Sequence, residues 1–408
     1  MQVSFVIPLH NGLEFTQEML ASLRATLPAE LAHEIILVDN GSTDGTRDWL
    51  QTLKEKPFRI VLNEGNLGYA EANNLAVRQA HGGFVALLNN DLVLLPGWIE
   101  PMIELAARPG IGIVGNVQLS VKDRGIDHAG IFFDQAGQPV HFRPSRESLI
   151  NLNEIEAPAV TGACMVMKRE IFQKLGGFDE GYRNGYEDID LCMKALSAGH
   201  HAVVAMRSVC YHYVGMSAGR HDQEDANAAR FQGRWGRFAK ELSRIEAPGL
   251  ERKQSGVLGA IRPTFDGYAT LQVFHPGVGG HAEQDSTVRL YSTGSWARVR
   301  APLPFGVEGV RLDPCDFPGT VRIKALELSE VKARRVVWSV EGEKKVSEVL
   351  AASGTTEVKA ESDQWLTVES TGNDPRLGIR AEAIPKELRG RRDLVVEVFI
   401  QTQGFSGG

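Results

Sequence analysis

The pattern of apolar and polar residues divides the chain into two halves. Up to about residue 214, short β-rich apolar runs alternate with segments of helical periodicity, which predicts an α/β fold with a Rossmann-like mixed, mostly parallel sheet. After about residue 246, short alternating runs follow one another closely and predict an all-β sandwich or jelly roll. We therefore expect a domain over residues 1–245, a linker over 246–260 and a second domain over 261–408.

Periodicity and turn residues assign the elements of the first half. The predicted strands cover residues 3–9, 34–39, 58–62, 84–88 and 202–206. The predicted helices cover residues 46–53 and 69–80, and a further helix begins at Pro96. Residues 120–157 lack periodicity and are predicted to form loops and short strands. Because open α/β sheets bind ligands beyond the carboxyl ends of their strands, Asp39, Asn66 and Asp91 are expected to share one crevice.

The composition narrows the classes of function. The chain has 408 residues, 43% of them hydrophobic and 23% charged, and contains no apolar run long enough to cross a bilayer. Its first residues, MQVSFVIPL, have a strand pattern rather than that of a secretory leader. Four cysteines without CxxC spacing indicate reduced thiols in a cytoplasmic protein. A formal net charge of −7 argues against nucleic acid as a partner.

A carboxylate follows the buried strand in the segment LLNNDLVLLPGW, where Asp91 lies at the strand's end. Carboxylate oxygen is a suitable ligand for a divalent cation such as Mn²⁺ or Mg²⁺, and such a cation could hold the phosphates of a bound nucleotide. Turn formation and helix capping would explain this segment if it stood alone. Together with the other segments, it indicates a metal ligand.

Two further segments offer groups suited to a nucleotide. In IILVDNGSTDGT, Asp39 ends a strand and is placed to accept the N–H of a pyrimidine base, while Asp44 is a candidate helix cap. In NEGNLGYAEANN, Gly68 permits close backbone approach, and Asn66 and Asn73 offer amide hydrogen bonds. The α/β half has no GxGxxG or GxxxxGK[ST] pattern in the right context, which disfavours NAD enzymes and P-loop ATPases.

The segment YEDIDLCMKA places Glu187 and Asp188 at the predicted start of a helix. One positioned carboxylate can remove the proton of an attacking acceptor hydroxyl, and we assign this role to Asp188. The helix dipole alone would favour acids here, so a stabilising role for Glu187 or Asp190 is the alternative. Two roles stay open for His212: a structural one, and contact with a metal or a diphosphate. Arg220 would add a positive charge next to the leaving diphosphate.

The ordered segments VIPLHN, VDNGSTDGT, NLGYAEANN, LLNND, TGACMVMKRE, GGFDE and YEDIDLCMKA resemble the motif series of glycosyltransferase family 2, which has the GT-A fold, and in particular its bacterial rhamnosyltransferase-like members. The resemblance covers about residues 3–220. It implies inverting transfer of a sugar from a UDP- or dTDP-linked donor to a glycan or lipid-linked acceptor in cell-surface polysaccharide biosynthesis. An O-antigen is one such product, and rhamnose is the candidate sugar.

The resemblance also implies roles for individual residues. The nucleotide-sugar site would comprise Pro8, His10, Asn11, Asp39, Asn66, Gly68, Asn73, Asn90 and Asp91. The residues next to donor or acceptor sugar would be Gly162, Ala163 and Arg220. Asp91 and His212 would bind the metal, and Asp188 would act as base beside Glu187. Asn89 stands where the family's DxD-like motif has its first acid, which leaves the strength of metal dependence open.

Several alternatives stay open at this point. The segment RFQGRWGRFAKELSR has the aromatic rings of Phe231, Trp235 and Phe238 on one helical face, with basic residues around it: Arg230, Arg234, Arg237 and Lys240. This pattern fits peripheral contact with an anionic membrane or packing on the catalytic domain. The β-rich half resembles an accessory sandwich module of bacterial surface-polysaccharide transferases. Its Trp296, Trp338 and Trp365 are sugar-stacking candidates, although core packing is favoured. A catalytically degenerate glycan-binding scaffold and a sugar nucleotidyltransferase are the competing functions; PLHNGLEF lacks the basic, glycine-rich loop of the latter.

Overall fold

The structure is a computed structural model and describes most of the chain. The described residues are 2–53, 57–145, 152–214, 223–245, 268–275, 286–292, 296–304, 306–315, 319–330, 335–353, 356–359, 364–370 and 376–402. The chain divides into two compact units, Met1–Ala260 and Ile261–Gly408. Each unit has its own buried core.

The first unit alternates strands and helices along its sequence. Its strands are β1 (Gln2–Leu9), β2 (Ala32–Asn40), β3 (Phe58–Asn63), β4 (Phe84–Leu88), β5 (Leu92–Leu94), β6 (Ile111–Ser120), β7 (Ile126–His128), β8 (Ile131–Phe133), β9 (Pro139–His141), β10 (Glu154–Glu156), β11 (Cys164–Lys168) and β12 (His201–His212). Its helices are α1 (Leu13–Thr26), α2 (Thr46–Leu50), α3 (Tyr69–Gln79), α4 (Ile99–Ala107), α5 (Arg169–Lys174), α6 (Glu187–Ser197) and α7 (Glu224–Leu242).

Ten of these strands form one mixed sheet in the order β10-β12-β6-β11-β4-β1-β2-β3, with β5 paired to β12 and β7 to β6. The longest pairings are parallel, β1 with β2 and β12 with β6, whereas β11 lies antiparallel between β4 and β6. β1 and β4 are buried along nearly their whole length, as expected for central strands covered on both faces. The mixed α/β architecture predicted from the sequence is confirmed.

The region around β5 differs from the prediction. Residues Leu92–Leu94 form a strand rather than the approach to a helix, and α4 begins at Ile99 rather than at Pro96. Gly97, at φ 78°, adopts the left-handed conformation, which interrupts a right-handed helix at this point. The predicted strand 202–206 extends to His212, because β12 continues past an irregularity between Ala205 and Val209 to pair with β5.

Helix α7 packs against other elements of the first unit. Phe231 is fully buried and its ring stacks on that of Phe133 at a centroid distance of 6.0 Å. The Trp235 Nε1–H donates to the buried Asp190 carboxylate of α6 at 2.7 Å, and two arginines of α7 pair with Asp179. These contacts agree with the alternative in which this segment packs on the catalytic domain. Within the described ranges, no helix combines the length and apolar character needed to span a membrane.

The second unit is β-rich, and every strand pairing described in it is antiparallel. Its elements are β13 (Tyr268–Phe274), β14 (Ser286–Ser292), β15 (Ala297–Leu303), β16 (Arg311–Asp313), β17 (Gly319–Glu330), β18 (Val336–Glu341), α8 (Glu343–Val349), β19 (Leu350–Ser353), β20 (Thr356–Lys359), β21 (Leu366–Ser370), β22 (Arg376–Ile379), a short 3₁₀ turn (Ala381–Ala383), α9 (Lys386–Arg389) and β23 (Leu394–Thr402).

Two sheets, β14-β13-β16-β22-β19 and β15-β23-β17-β21-β20 with β18 on β17, contribute to one apolar core, as the predicted sandwich requires. Trp338 packs against this core, which agrees with the prediction of core packing rather than sugar stacking. Trp296 is 40% exposed, and its ring contacts that of Trp365 at 5.9 Å. The core explanation is therefore wrong for Trp296.

Candidate active site

A cavity of about 300 Å³ lies in the first unit beyond the carboxyl ends of β1, β2 and β4. Its lining comprises Pro8, Leu9, His10, Asn11, Gly12, Phe15, Asn40, Asn66, Tyr69, Asn89, Asn90, Asp91, Thr161, Gly162, Ala163, Asn184, Gly185, Glu187, Asp188 and His212. The location is the crevice that parallel α/β sheets use for ligands. The cavity unites segments that are far apart in the sequence.

A carboxylate and an imidazole meet in one wall of this cavity. Strand β5 pairs with the end of β12 so that Leu92 lies opposite His212, which brings Asp91 beside the imidazole. The Asp91 Oδ1 and His212 Nε2 atoms are 3.4 Å apart, and both side chains are buried. Burial alone would lower the pKa of His212, but the adjacent Asp91 carboxylate outweighs it and raises this pKa above its usual value.

The Asp91–His212 pair fits a divalent cation as a partial ligand set. Two ligand atoms that share an octahedral ion at about 2.1 Å each lie about 3 Å apart, close to the separation in this pair. Neither here nor elsewhere in the described ranges is there a group of three or more His, Cys, Asp or Glu side chains that could hold a metal. The described residues thus offer two candidate ligands at this place, and the other ligands of an ion would have to come from outside the protein.

The opposite part of the cavity is formed by the first turn of α6. The Asp188 Oδ2 atom accepts the Gly162 N–H at 2.8 Å, and Oδ1 accepts the Ile189 N–H at 2.8 Å. Glu187 Oε2 accepts the Gly185 N–H at 2.7 Å. A carboxylate has about four acceptor positions, so Asp188 is held in place and can still accept a proton from a substrate.

The loop before α6 is held in an unusual backbone conformation. Asn184 and Tyr186 have φ values of 53° and 72°, a region that costs non-glycine residues energy unless the surroundings impose it. Helix α7 supplies those surroundings: Asn227 exchanges hydrogen bonds with the backbone N–H and C=O of Arg183, and Phe231 packs on the Tyr186 ring. Helix α7 thereby fixes the approach to Glu187 and Asp188.

The loop between β3 and α3 is tied to the end of β2. The Asn40 side chain donates to Asn66 Oδ1 at 3.0 Å and to the Gly68 carbonyl at 3.2 Å, and it accepts the Leu67 N–H at 3.2 Å. Asn66 Oδ1 also accepts the Gly68 N–H. Gly68 has φ 87° directly before α3, so glycine is favoured at this turn. These bonds fix the cavity wall that contains Asn40 and Asn66.

Several predicted site residues lie behind the cavity lining. Asp39 is fully buried; its Oδ1 accepts the Ser42 N–H, and its Oδ2 lies 3.5 Å from the Arg47 guanidinium. Gly68 and Asn73 are also buried, and Asn73 donates to the Tyr69 carbonyl in the first turn of α3. Arg220 lies outside the described residues. The ligand contacts proposed for these four residues stay predictions.

Sequence reasoning did not select several lining residues, notably Tyr69, Asn40 and Thr161. Asn40 follows Asp39 directly, so the strand end offered two candidates, and only the acid was chosen. The signal for Tyr69 was its position just after Gly68, at a helix start. Asp44 was a candidate N-cap, but the N-cap residue of α2 is Gly45. The Asp44 carboxylate still accepts the Thr46 N–H; burial raises the pKa of Asp44, but its hydrogen bonds lower it overall.

Comparisons with known proteins find similarity over about half of the chain. Residues 4–176 match the model of the family described as glycosyl transferase family 2. The chain is similar to the uncharacterized protein y4gI of Sinorhizobium fredii, with 35% identity over 56% of the chain and 26% of that protein. It is also similar to the O-antigen biosynthesis protein RfbC of Myxococcus xanthus, with 28% identity over 53% of the chain and 18% of RfbC.

A third relative is the N-acetylglucosaminyl-diphospho-decaprenol L-rhamnosyltransferase of Mycobacterium tuberculosis, 29% identical over 50% of the chain and 73% of the relative. The chain thus spans only a fraction of the length of y4gI and RfbC, but most of the rhamnosyltransferase. Among solved structures, GalNAc-T7 with UDP, GalNAc and Mn²⁺ matches with a TM-score of 0.46 and 18% identity, over 52% of the chain and 44% of GalNAc-T7. Residues 4–176, within the first unit, are thus similar to glycosyl transferase family 2.

Proposed function

We propose that the chain is an inverting, metal-dependent glycosyltransferase. It transfers a sugar, with rhamnose as the first candidate, from a UDP- or dTDP-linked donor to a glycan or lipid-linked acceptor in cell-surface polysaccharide biosynthesis. The observation that carries the proposal is one cavity lined both by the Asp91–His212 pair and by the oriented Asp188 carboxylate. The family match, RfbC and the rhamnosyltransferase relative support the choice of reaction and of pathway.

The proposed mechanism divides tasks between the two parts of the cavity. Asp91 and His212 would hold Mn²⁺ or Mg²⁺ together with the donor's diphosphate. When bound, the cation neutralises charge that develops on the leaving nucleoside diphosphate. Asp188 accepts the proton of the acceptor hydroxyl as that oxygen attacks the anomeric carbon from the face opposite the leaving group. Attack from that side inverts the anomeric configuration, and no covalent enzyme intermediate is needed.

The remaining lining residues would form the donor pocket. Pro8, His10 and Asn11 line the cavity at the end of β1. Asn66 also lines it, in the loop between β3 and α3, where its Oδ1 accepts a hydrogen bond from Asn40. Asn90 donates to Thr16 Oγ1 at 2.9 Å and so connects the Asp91 turn to α1. Gly162 and Ala163 lie at the start of β11 and would face the donor or acceptor sugar. We place the reaction in the cytoplasm, with peripheral membrane contact where the acceptor is lipid-linked.

The test is a binding and turnover panel of UDP-, dTDP- and GDP-sugars with and without Mn²⁺. Three variants accompany the unaltered chain: Asp91→Ala, Asp188→Asn and the control Asp48→Asn, which removes an exposed carboxylate from α2. We expect one donor to bind with metal and turn over. Asp91→Ala should lose metal-stimulated binding, Asp188→Asn should bind donor but lose turnover, and the control should match the unaltered chain.

Other results would contradict the proposal in distinct ways. If a folded chain binds no donor at any Mn²⁺ concentration, the glycan-binding scaffold replaces the transferase. If Asp188→Asn turns over at the unaltered rate, another group is the base. Release of pyrophosphate from a nucleoside triphosphate and a sugar phosphate would favour the nucleotidyltransferase.

A further inference from the structure

The Tyr69 side chain joins two parts of the cavity that carry different proposed tasks. Tyr69 is the first residue of α3 and follows Gly68 in the loop tied to β2. Its hydroxyl donates to the Gly162 carbonyl at 2.7 Å. The N–H of the same glycine donates to Asp188 Oδ2 at 2.8 Å. Gly162 is therefore held from both sides, by Tyr69 at its carbonyl and by Asp188 at its amide.

The space around Gly162 leaves little freedom for this arrangement to shift. A Cβ atom on Gly162 would lie 3.1 Å from Tyr69 Oη and 3.2 Å from Asp188 Cβ, so the tyrosine, the glycine and the base are in close packing. The next residue is fixed as well, because the Ala163 carbonyl accepts the Asn89 N–H at 2.8 Å. A change at the Tyr69 hydroxyl is thus transmitted to the peptide that contacts Asp188.

The chemistry of Tyr69 suits a permanent hydrogen-bond donor. Burial raises its pKa well above the usual value, and the nearby Glu187 and Asp188 carboxylates raise it further. Its ring packs against Phe178 at a centroid distance of 5.6 Å, which restricts the orientation of the hydroxyl. The hydroxyl therefore stays protonated and directed at the Gly162 carbonyl.

We propose that Tyr69 is a positioning residue: through Gly162 it holds Asp188 in the orientation needed to accept the acceptor's proton. This inference rests on the proposed function, since it assumes that Asp188 is the base. Because Tyr69 continues directly from the Asn66–Gly68 turn, it also couples the proposed nucleotide wall to the base.

The decisive experiment is a double-mutant cycle in the full chain, with release of nucleoside diphosphate from dTDP-rhamnose and from UDP-N-acetylglucosamine as the probes. Tyr69→Phe should lower kcat about tenfold, the effect of losing one hydrogen bond of ordinary strength, with KM for the donor unchanged. In the Asp188→Asn background the same change should not lower the residual turnover further, because Tyr69 acts only through Asp188. Equal losses in both backgrounds would overturn the proposal.

The chain provides a matched control. Tyr291→Phe in the second unit removes a buried hydroxyl that also donates to a backbone carbonyl, that of Pro314 at 2.6 Å. This control should leave kcat unchanged, which separates loss of a buried hydroxyl in general from loss at Tyr69. Unchanged kcat in Tyr69→Phe, with kcat of Asp188→Asn strongly reduced, would reject Tyr69 and keep the proposed function.

A second measurement does not depend on turnover. Hydrogen exchange of the Gly162 amide should be at least about tenfold faster in Tyr69→Phe than in the unaltered chain. Without the Tyr69 hydroxyl, the Gly162 peptide is no longer fixed against its acceptor, the Asp188 carboxylate. Tyr291→Phe should leave this exchange unchanged. Equal exchange in the unaltered chain and Tyr69→Phe would overturn the proposal even if no probe donor turns over.

Discussion

Gly162→Ala tests whether small displacements at the proposed base control the reaction. Gly162 is not among the glycines with positive φ, so alanine meets no backbone strain, and its methyl group is the only change. That methyl group would lie 3.1 Å from Tyr69 Oη and 3.2 Å from Asp188 Cβ. Both distances are shorter than ordinary van der Waals contact, so the neighbours must move by a few tenths of an ångström.

The magnitude follows from that displacement. A misplacement of about 1 Å at a reacting group can cost about a hundredfold in rate, so a shift of a few tenths corresponds to about a tenfold loss of kcat. Stability should change little. The tight contact opposes a gain of about 0.4–1 kcal/mol that alanine brings by restricting the unfolded chain. We therefore expect kcat to fall while the free energy of unfolding stays within about 1 kcal/mol of the original.

The assay pairs steady-state kinetics on the donor found active with urea denaturation. Gly233→Ala is the control, because a Cβ atom at this position in α7 meets nothing within 4 Å. It should raise the free energy of unfolding by about 0.5–1 kcal/mol and leave kcat unchanged. A Gly162→Ala chain with native stability and full kcat would refute the reasoning that the packing at Gly162 fixes a catalytic Asp188.

Three further changes test the packing around the site by urea denaturation. Phe231→Ala should lower the free energy of unfolding by about 3–5 kcal/mol, because it empties a fully buried ring position; a loss below about 1 kcal/mol would mean that α7 is not packed there. Trp235→Phe should cost about 1.5–3 kcal/mol through the hydrogen bond to Asp190, and an unchanged midpoint would contradict that bond. For Glu34, burial raises the pKa, but the Ser4 hydrogen bond and further partners lower it overall, so its stabilisation is present above pH 4.5 and lost as pH falls through the lower folded-state pKa. Glu34→Gln should therefore destabilise the chain at pH 7 by about 1–2 kcal/mol, and this difference should shrink as pH falls through the folded-state pKa of Glu34; a destabilisation that does not depend on pH would contradict this.

The sequence predicted the parts of the site that depend on strand ends. Asp91 comes shortly after the apolar strand β4, and Asp188 lies in the first turn of the amphipathic helix α6. Both residues line the same cavity. His212 was paired with Asp91 through the family resemblance. The contact itself depends on β5, whose three apolar residues carry too little pattern to distinguish a strand from the approach to a helix. Their pairing with the distant β12 is a tertiary effect.

Side-chain direction was harder to predict than element position. Asp39 and Asn40 are adjacent at the end of β2, and strand geometry sends their side chains to opposite faces. The acid is buried beside Arg47, while the amide lines the cavity. Tyr69 was missed for a similar reason, because its role depends on a carbonyl far away in the sequence at Gly162. Such contacts have no local signature in one sequence.

The pairing of β5 with β12 bears on how the domain can be divided. The segment that matches the family model ends at residue 176, before α6 and before β12. A fragment cut at that boundary would keep Asp91 but lack Asp188 and His212, and its β5 would lose its strand partner. During synthesis, likewise, the Asp91–His212 pair can assemble only after His212 has left the ribosome. The smallest piece worth expressing as a catalyst therefore extends through Leu242, where α7 ends.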